Sequence, residues 1–278
     1  GGFGTVVDGE KVGLMAAFAN TDSNASLTYG AFGALIVALL LYLPRRLMTF
    51  KEFFGGITTG FKSMLSAITI TPEHRKLIEH SPMPIVVLAQ ECPGGFSVVD
   101  DDYQAGFAIG QLVGESHPAF PAYLGVEESD IAVGMERRRG VLDGLKSCSI
   151  QDVRIFQGDY TYESGQEMTR RALRSGPVDA LICATDRLAY GAYRVLGEMG
   201  LSIPGDVSVT GFGGYDESAL LTPSLTTLKF DSYTLGYLGA ETLLKLIQGE
   251  PVPQKQVVGF QLIPGGSLRS DKKSGALS

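Results

Sequence analysis

The residues of this chain best suited to holding a ligand stand just beyond short apolar runs. Asp130 and Arg137-Arg138-Arg139 follow the run at 122–126, and Tyr160 follows Gly158-Asp159 after the run at 153–156. Thr185 and Asp186 follow the run at 180–184, and Gly213-Gly214-Tyr215-Asp216 follow the run at 207–212. Planar arginine forks, a carboxylate, a hydroxyl and aromatic rings suit a polyhydroxylated ligand: its hydroxyls meet the forks, and its ring faces meet the aromatics. Several of these residues also have plain structural uses. Arg138 and Arg139 suit a solvated helix face, Asp186 suits a helix N-cap, and Tyr160 suits ordinary packing.

Catalysis finds little in the sequence. The three histidines, His74, His80 and His117, stand in no triad or metal spacing. Glu127 and Glu128 are adjacent on a loop and read as solvated. Gly211-Phe212-Gly213-Gly214 is not a dinucleotide fingerprint, and there is no phosphate loop. The expectation is a binding protein, not an enzyme, with no cofactor and no metal.

The elements that position these residues alternate. Apolar runs at 84–89, 96–99, 122–126, 153–156, 180–184, 207–212 and 257–263 read as strands. Segments 102–113, 135–145, 162–174, 186–199 and 231–248 carry helical spacing. Strands alternating with helices of this length predict a parallel α/β sheet, whose ligands sit beyond the carboxyl ends of the strands.

Composition agrees with a globular chain. Of 278 residues, 44% are hydrophobic and 19% charged, which excludes wholesale disorder. The net charge of −7 gives no dominant basic surface for nucleic acid. Cys92, Cys148 and Cys183 are too few and too scattered for a disulfide framework or zinc site, and fit a reducing compartment.

The character of the chain breaks near residue 70. Residues 1–70 carry five basic and four acidic side chains, so the remainder carries −8. Leu27 to Leu43, LTYGAFGALIVALLLYL, contains no charge and is followed at once by Arg45-Arg46, as a membrane-spanning helix would be. It starts too deep to be a signal peptide. The chain opens Gly1-Gly2 and reads as a fragment at its N-terminus. Phe18 to Thr69 resembles an internal piece of an NhaC-type sodium/proton antiporter, through the Pro-Arg-Arg turn at 44–46, TFKEF at 49–53 and GFKSM at 60–64. Asp22 suits an N-cap better than a remnant of an ion site.

Residues 72–278 resemble the effector-binding domain of LacI/GalR-family transcriptional regulators. The resemblance is carried by DDYQAG from Asp101, DIAVGMERRRGVLDGL from Asp130, GDYTYESG from Gly158, the block from Val178 to Asp231, and PSLTTLKFD from Pro223. GFGGY at 211–215 is similar to the subset that senses sucrose or related disaccharides. The resemblance implies a type I periplasmic-binding-protein-like fold: two lobes of parallel sheet joined by crossings near 99–101, 228–231 and 257–259. The first lobe takes 72–100 and 229–259 and is incomplete. The second takes 101–228 and 260–278. Hydrophobic helices of the antiporter-like segment, 1–70, precede them.

The resemblance further implies that Arg137 clamps sugar hydroxyls and Tyr160 stacks on the ring. Thr185 stands where the family often has a polar Asn, with Asp186 following. Phe230 contacts ligand at a crossing. Gly213 departs from the common pattern, where an Asp binds hydroxyls. The implied partners are a sugar effector, a second copy in a homodimer, and operator DNA contacted outside this chain, in the cytoplasm. With half the cleft missing, the chain is expected to bind sugar weakly or not at all. The alternatives are a periplasmic-type sugar-binding protein, which the PSLTT block disfavours, and a sensor lobe fused to a membrane segment at Leu27–Leu43. The simplest account of the break is a joining of two unrelated frames near residue 70.

Overall fold

The computed structural model of the protein describes residues 72–269, together with the backbone of two short strands, β1 (Thr5–Val7) and β2 (Glu10–Val12), paired antiparallel. The chain divides into two units, Gly1–Ala67 and Ile68–Ser278. The membrane reading of Leu27–Leu43, Asp22 and the antiporter-like segment lie outside the described residues. Among the described residues no helix is long and apolar enough to cross a membrane.

The second unit holds two sheets. After α1 (Pro72–Glu79), β3 (Val86–Leu88) and β4 (Phe96–Asp100) pair in parallel in the smaller sheet. Helix α2 (Asp102–Gly114) leads to β5 (Pro121–Val126) in the larger sheet. A π-helical stretch, Ile131–Arg137, runs into α3 (Arg138–Ser147). Then follow β6 (Arg154–Gly158), α4 (Tyr162–Arg174), β7 (Ala180–Cys183), α5 (Asp186–Glu198), β8 (Ser208–Phe212), α6 (Asp216–Leu220) and β9 (Thr226–Phe230). Helix α7 (Ser232–Gln248) returns the chain to β10 (Lys255–Val258) in the smaller sheet, and β11 (Phe260–Ile263) closes in the larger one. The strand orders are β10-β4-β3 and β11-β9-β8-β7-β5-β6.

β5, β7 and β8 are buried along their whole lengths, as strands covered on both faces must be, and Tyr123, Leu124, Leu181, Ile182 and Phe212 form their core. Helix α2 meets α3 at backbone distance. A Cβ on Gly106 would overlap the Arg137 carbonyl, and one on Gly140 would overlap the Tyr103 carbonyl.

Three expectations are corrected. The run 257–263 is not one strand. β10 pairs parallel with β4, and β11 pairs antiparallel with β9, with Gly259 between them. A continuous apolar run does not say which sheet each half joins. The larger sheet is therefore mixed at its edge. The helix expected from Met135 begins at Ile131 instead, because Asp130 caps it: its Oδ1 accepts the Val133 N–H at 2.9 Å. The main-chain bond from the Met135 N–H to the Asp130 carbonyl (3.1 Å) is the i→i+5 bond of a π turn. Strand β9 and helices α1 and α6 were not anticipated as elements.

Candidate functional site

Arg137 is the last residue of the π-helical stretch and is 7% exposed. Its Nε and Nη2 donate to Oδ1 of Asp102 at 2.9 and 2.5 Å, and Nη1 donates to the Ala184 carbonyl at 2.6 Å. The guanidinium carbon lies 4.8 Å from the ring centroid of Phe212 and 5.1 Å from that of Phe230. The cation is thus held by its edge and covered by two aromatic faces. Three of its five N–H groups are engaged, leaving one on each terminal nitrogen as a two-pronged donor.

Asp130 and Tyr160 form a second pair beside it. The Tyr160 hydroxyl donates to Oδ2 of Asp130, and burial followed by that bond pushes the phenol's pKa far up. Thr185, at the end of β7, caps α5 by accepting the Leu188 N–H at 3.3 Å. It follows Ala184, whose carbonyl holds Arg137. Phe230 ends β9 and covers Arg137. Gly213 follows Phe212 with φ of +142°, a conformation that side chains rarely adopt.

Asp186 stands apart from these. It is fully buried, and its oxygens accept from Thr227 (2.5 Å), Ser218 (2.7 Å) and the Tyr215 N–H (3.2 Å). Burial raises its pKa, against the opposing pull of these bonds. Its carboxylate ties α5, α6 and β9 together.

Three contributors escaped the sequence reading as site residues. Asp102 neutralises Arg137, Phe212 stacks on it, and Asp100 lies at the end of β4 with a buried Oδ1 that has no hydrogen-bond partner. Burial first, then the charges of Asp102 and Asp231, push Asp100 up to about 6, against the pull of Arg137. The signal was present: Asp100 and Asp102 follow the apolar run 96–99, the same position beyond a strand that marks the others. Asp100, Asp101 and Asp102 line an open cleft with Ile131, Glu136 and Lys255. Among the described residues no group of His, Cys, Asp or Glu is placed to hold a metal ion.

A profile of the periplasmic binding protein-like domain matches residues 109–268, more than half of the chain. The chain belongs to this family. All seven residues singled out in the sequence, Asp130 to Phe230, fall within the match. Among relatives of this periplasmic binding protein-like chain, the sucrose operon repressor of Staphylococcus xylosus is 28% identical over 212 residues, covering 76% of this chain and 65% of that protein. The HTH-type transcriptional regulator GntR of Escherichia coli K12 is 32% identical over 212 residues, covering 74% and 63%. The chain thus spans somewhat under two thirds of the length of these relatives. Among solved structures, a sugar-binding LacI-family transcriptional regulator of E. coli complexed with phosphate matches with a TM-score of 0.64 at 26% identity, covering 70% of this chain and 72% of that one. The lac repressor dimer bound to operator and an anti-inducer matches with a TM-score of 0.59 at 27% identity, covering 63% and 61%.

Proposed function

We propose that residues 72–278 are the effector-binding part of a sugar-responsive transcriptional regulator of the LacI/GalR type. The observation that carries this reading is the Arg137 guanidinium, held edge-on by Asp102 and packed against the rings of Phe212 and Phe230 at the carboxyl ends of the strands. Its free N–H on each terminal nitrogen suits two neighbouring hydroxyl oxygens of a sugar. Because Asp102 already neutralises the arginine, and Asp130 lies beside it, the site favours a neutral polyol over an anion. Tyr160 and Phe230 add ring faces. Thr185 contributes a hydroxyl, and Gly213, overlain by the Tyr215 ring, contributes no side chain. Asp186 acts from behind, holding the loop that carries Tyr215. The regulators among its relatives support a non-enzymatic role.

On this reading the whole regulator is a cytoplasmic homodimer that reads sugar occupancy out at operator DNA, through contacts other than residues 72–278. Sequencing single DNA molecules of the source across codons 60–80 tests whether the two halves share one frame.

Calorimetric titration of the chain with sucrose and with a sugar phosphate tests the reading. Weak saturable binding of the neutral sugar, lost in Arg137→Met, is expected. Preference for the phosphorylated sugar would refute it.

A further inference from the structure

We propose that Tyr215 is a specificity-determining residue of the Arg137 site, offering its ring as a stacking face to a pyranose ring of the bound saccharide. This rests on the sugar-binding reading above. β8 ends at Phe212, whose ring lies under the Arg137 guanidinium. The two residues that follow are glycines with φ of +142° and +62°. A Cβ on Gly213 would stand 2.8 Å from Cε2 of Tyr215 and 3.1 Å from its Cδ2 and Cζ, so the tyrosine ring lies over the glycine. A Cβ on Gly214 would stand 2.5 Å from the Lys229 Cβ, so the other side of the turn is closed by β9.

The turn is pinned as well as crowded. The Gly213 N–H donates to the Leu228 carbonyl at 2.8 Å, and the Gly214 N–H donates to Thr227 Oγ1 at 3.3 Å. The Tyr215 N–H donates to the fully buried Asp186 at 3.2 Å. Above this fixed backbone the Tyr215 side chain is 51% exposed. Covering the exposed half of the ring with an apolar face removes that area from water, which is favourable. Here the ring stands two residues beyond the glycine that follows Phe212.

The chemistry of the partner follows. Position 213 carries no side chain, and its φ of +142° strains any that replaced it, so no side-chain hydrogen-bonding group reaches a ligand from there. This corner recognises an apolar ring face instead of hydroxyls. A pyranose has such a face of axial C–H bonds, while an acyclic polyol with the same hydroxyls does not. A tyrosine suits the task because it loses only two side-chain torsions on being covered.

Saturation-transfer NMR on the full chain, with sucrose and mannitol as probes, tests the proposal and reads millimolar binding. Tyr215→Ala is expected to weaken sucrose binding about three- to tenfold, the range of one aromatic stacking contact. It should also selectively dim the saturation of the pyranose C–H protons. Tyr215→Phe should keep both, and mannitol should respond to neither variant. Unchanged sucrose affinity and saturation pattern in Tyr215→Ala would overturn the role of Tyr215 while leaving the Arg137 site standing. Absence of sucrose and mannitol signals from wild-type chain that is folded by circular dichroism would overturn the sugar-binding reading, and this inference with it.

Discussion

Arg137 and Asp102 are each 7% exposed, so deleting one of them strands the other's charge in a dry place. Breaking such a pair costs about 3–5 kcal/mol, much more than a surface ion pair is worth. Asp102→Ala is therefore expected to lower the urea midpoint strongly, while Arg139→Ala, at an exposed arginine, should barely move it. Asp100 belongs to the same cluster and faces Asp102, Asp231 and Arg137. Its folded-state pKa of about 6 stands above the ordinary 3.8. The folded protein thus holds the Asp100 proton more tightly than the unfolded chain does. The stability this gives is full below about pH 4 and is lost as pH rises through about 6. Asp100→Asn removes this dependence. Its stability relative to wild type should rise between pH 5 and pH 7.5 in parallel urea titrations, and a flat difference would contradict the assignment.

At the scale of elements, the helix pair α2–α3 sets where Arg137 stands. Gly106 and Gly110 face Arg137 and Val141 across the contact, and Gly140 and Gly144 face Tyr103 and Phe107, backbone against backbone. An added methyl gains about 0.5–1 kcal/mol of helix propensity anywhere on a helix, but overpacking a closed contact costs about 1–3 kcal/mol. The second effect wins at Gly140, so Gly140→Ala should lower the melting temperature and shift Arg137 away from Asp102. Near the end of α5, a methyl group added at Gly197 would meet nothing within 4 Å, so Gly197→Ala should raise the melting temperature slightly. The strand–helix alternation around these glycines was legible from apolar periodicity. The glycine-to-backbone approach was not, because a four-residue glycine spacing does not say which helix it faces. The π turn at 131–137 escaped for a similar reason: it depends on Asp130 capping at one particular place, not on the apolar pattern.

Across the whole of residues 72–269, the two sheets differ in cover. β5, β7 and β8 are buried at every residue, while β3 and β10 are largely half-buried or exposed. The chain passes between the sheets after β4, after β9 and between β10 and β11. Opening of the smaller sheet therefore removes fewer buried contacts than opening of the larger one. Amide exchange followed by mass spectrometry should find 86–88 and 255–258 exchanging well before 121–126, 180–183 and 208–212. A ligand spanning the crossing at Phe230 should slow exchange in both sheets together.

Local chemistry was decided by the amino-acid sequence. Apolar runs between helical segments specified an α/β unit from residue 72, and position just after those runs singled out Asp130, Arg137, Tyr160, Thr185 and Gly213. That works because burial on both faces of a strand and exposure at its end are properties of adjacent residues. Tertiary structure alone decided the pairings. It placed Asp102 on Arg137 across 35 positions of chain, brought Phe212 and Phe230 against one guanidinium, and bonded Asp186 to the loop at Tyr215. It also divided 257–263 between two sheets. Each of these is a contact between elements far apart in sequence, and its free energy exists only once the intervening chain has packed.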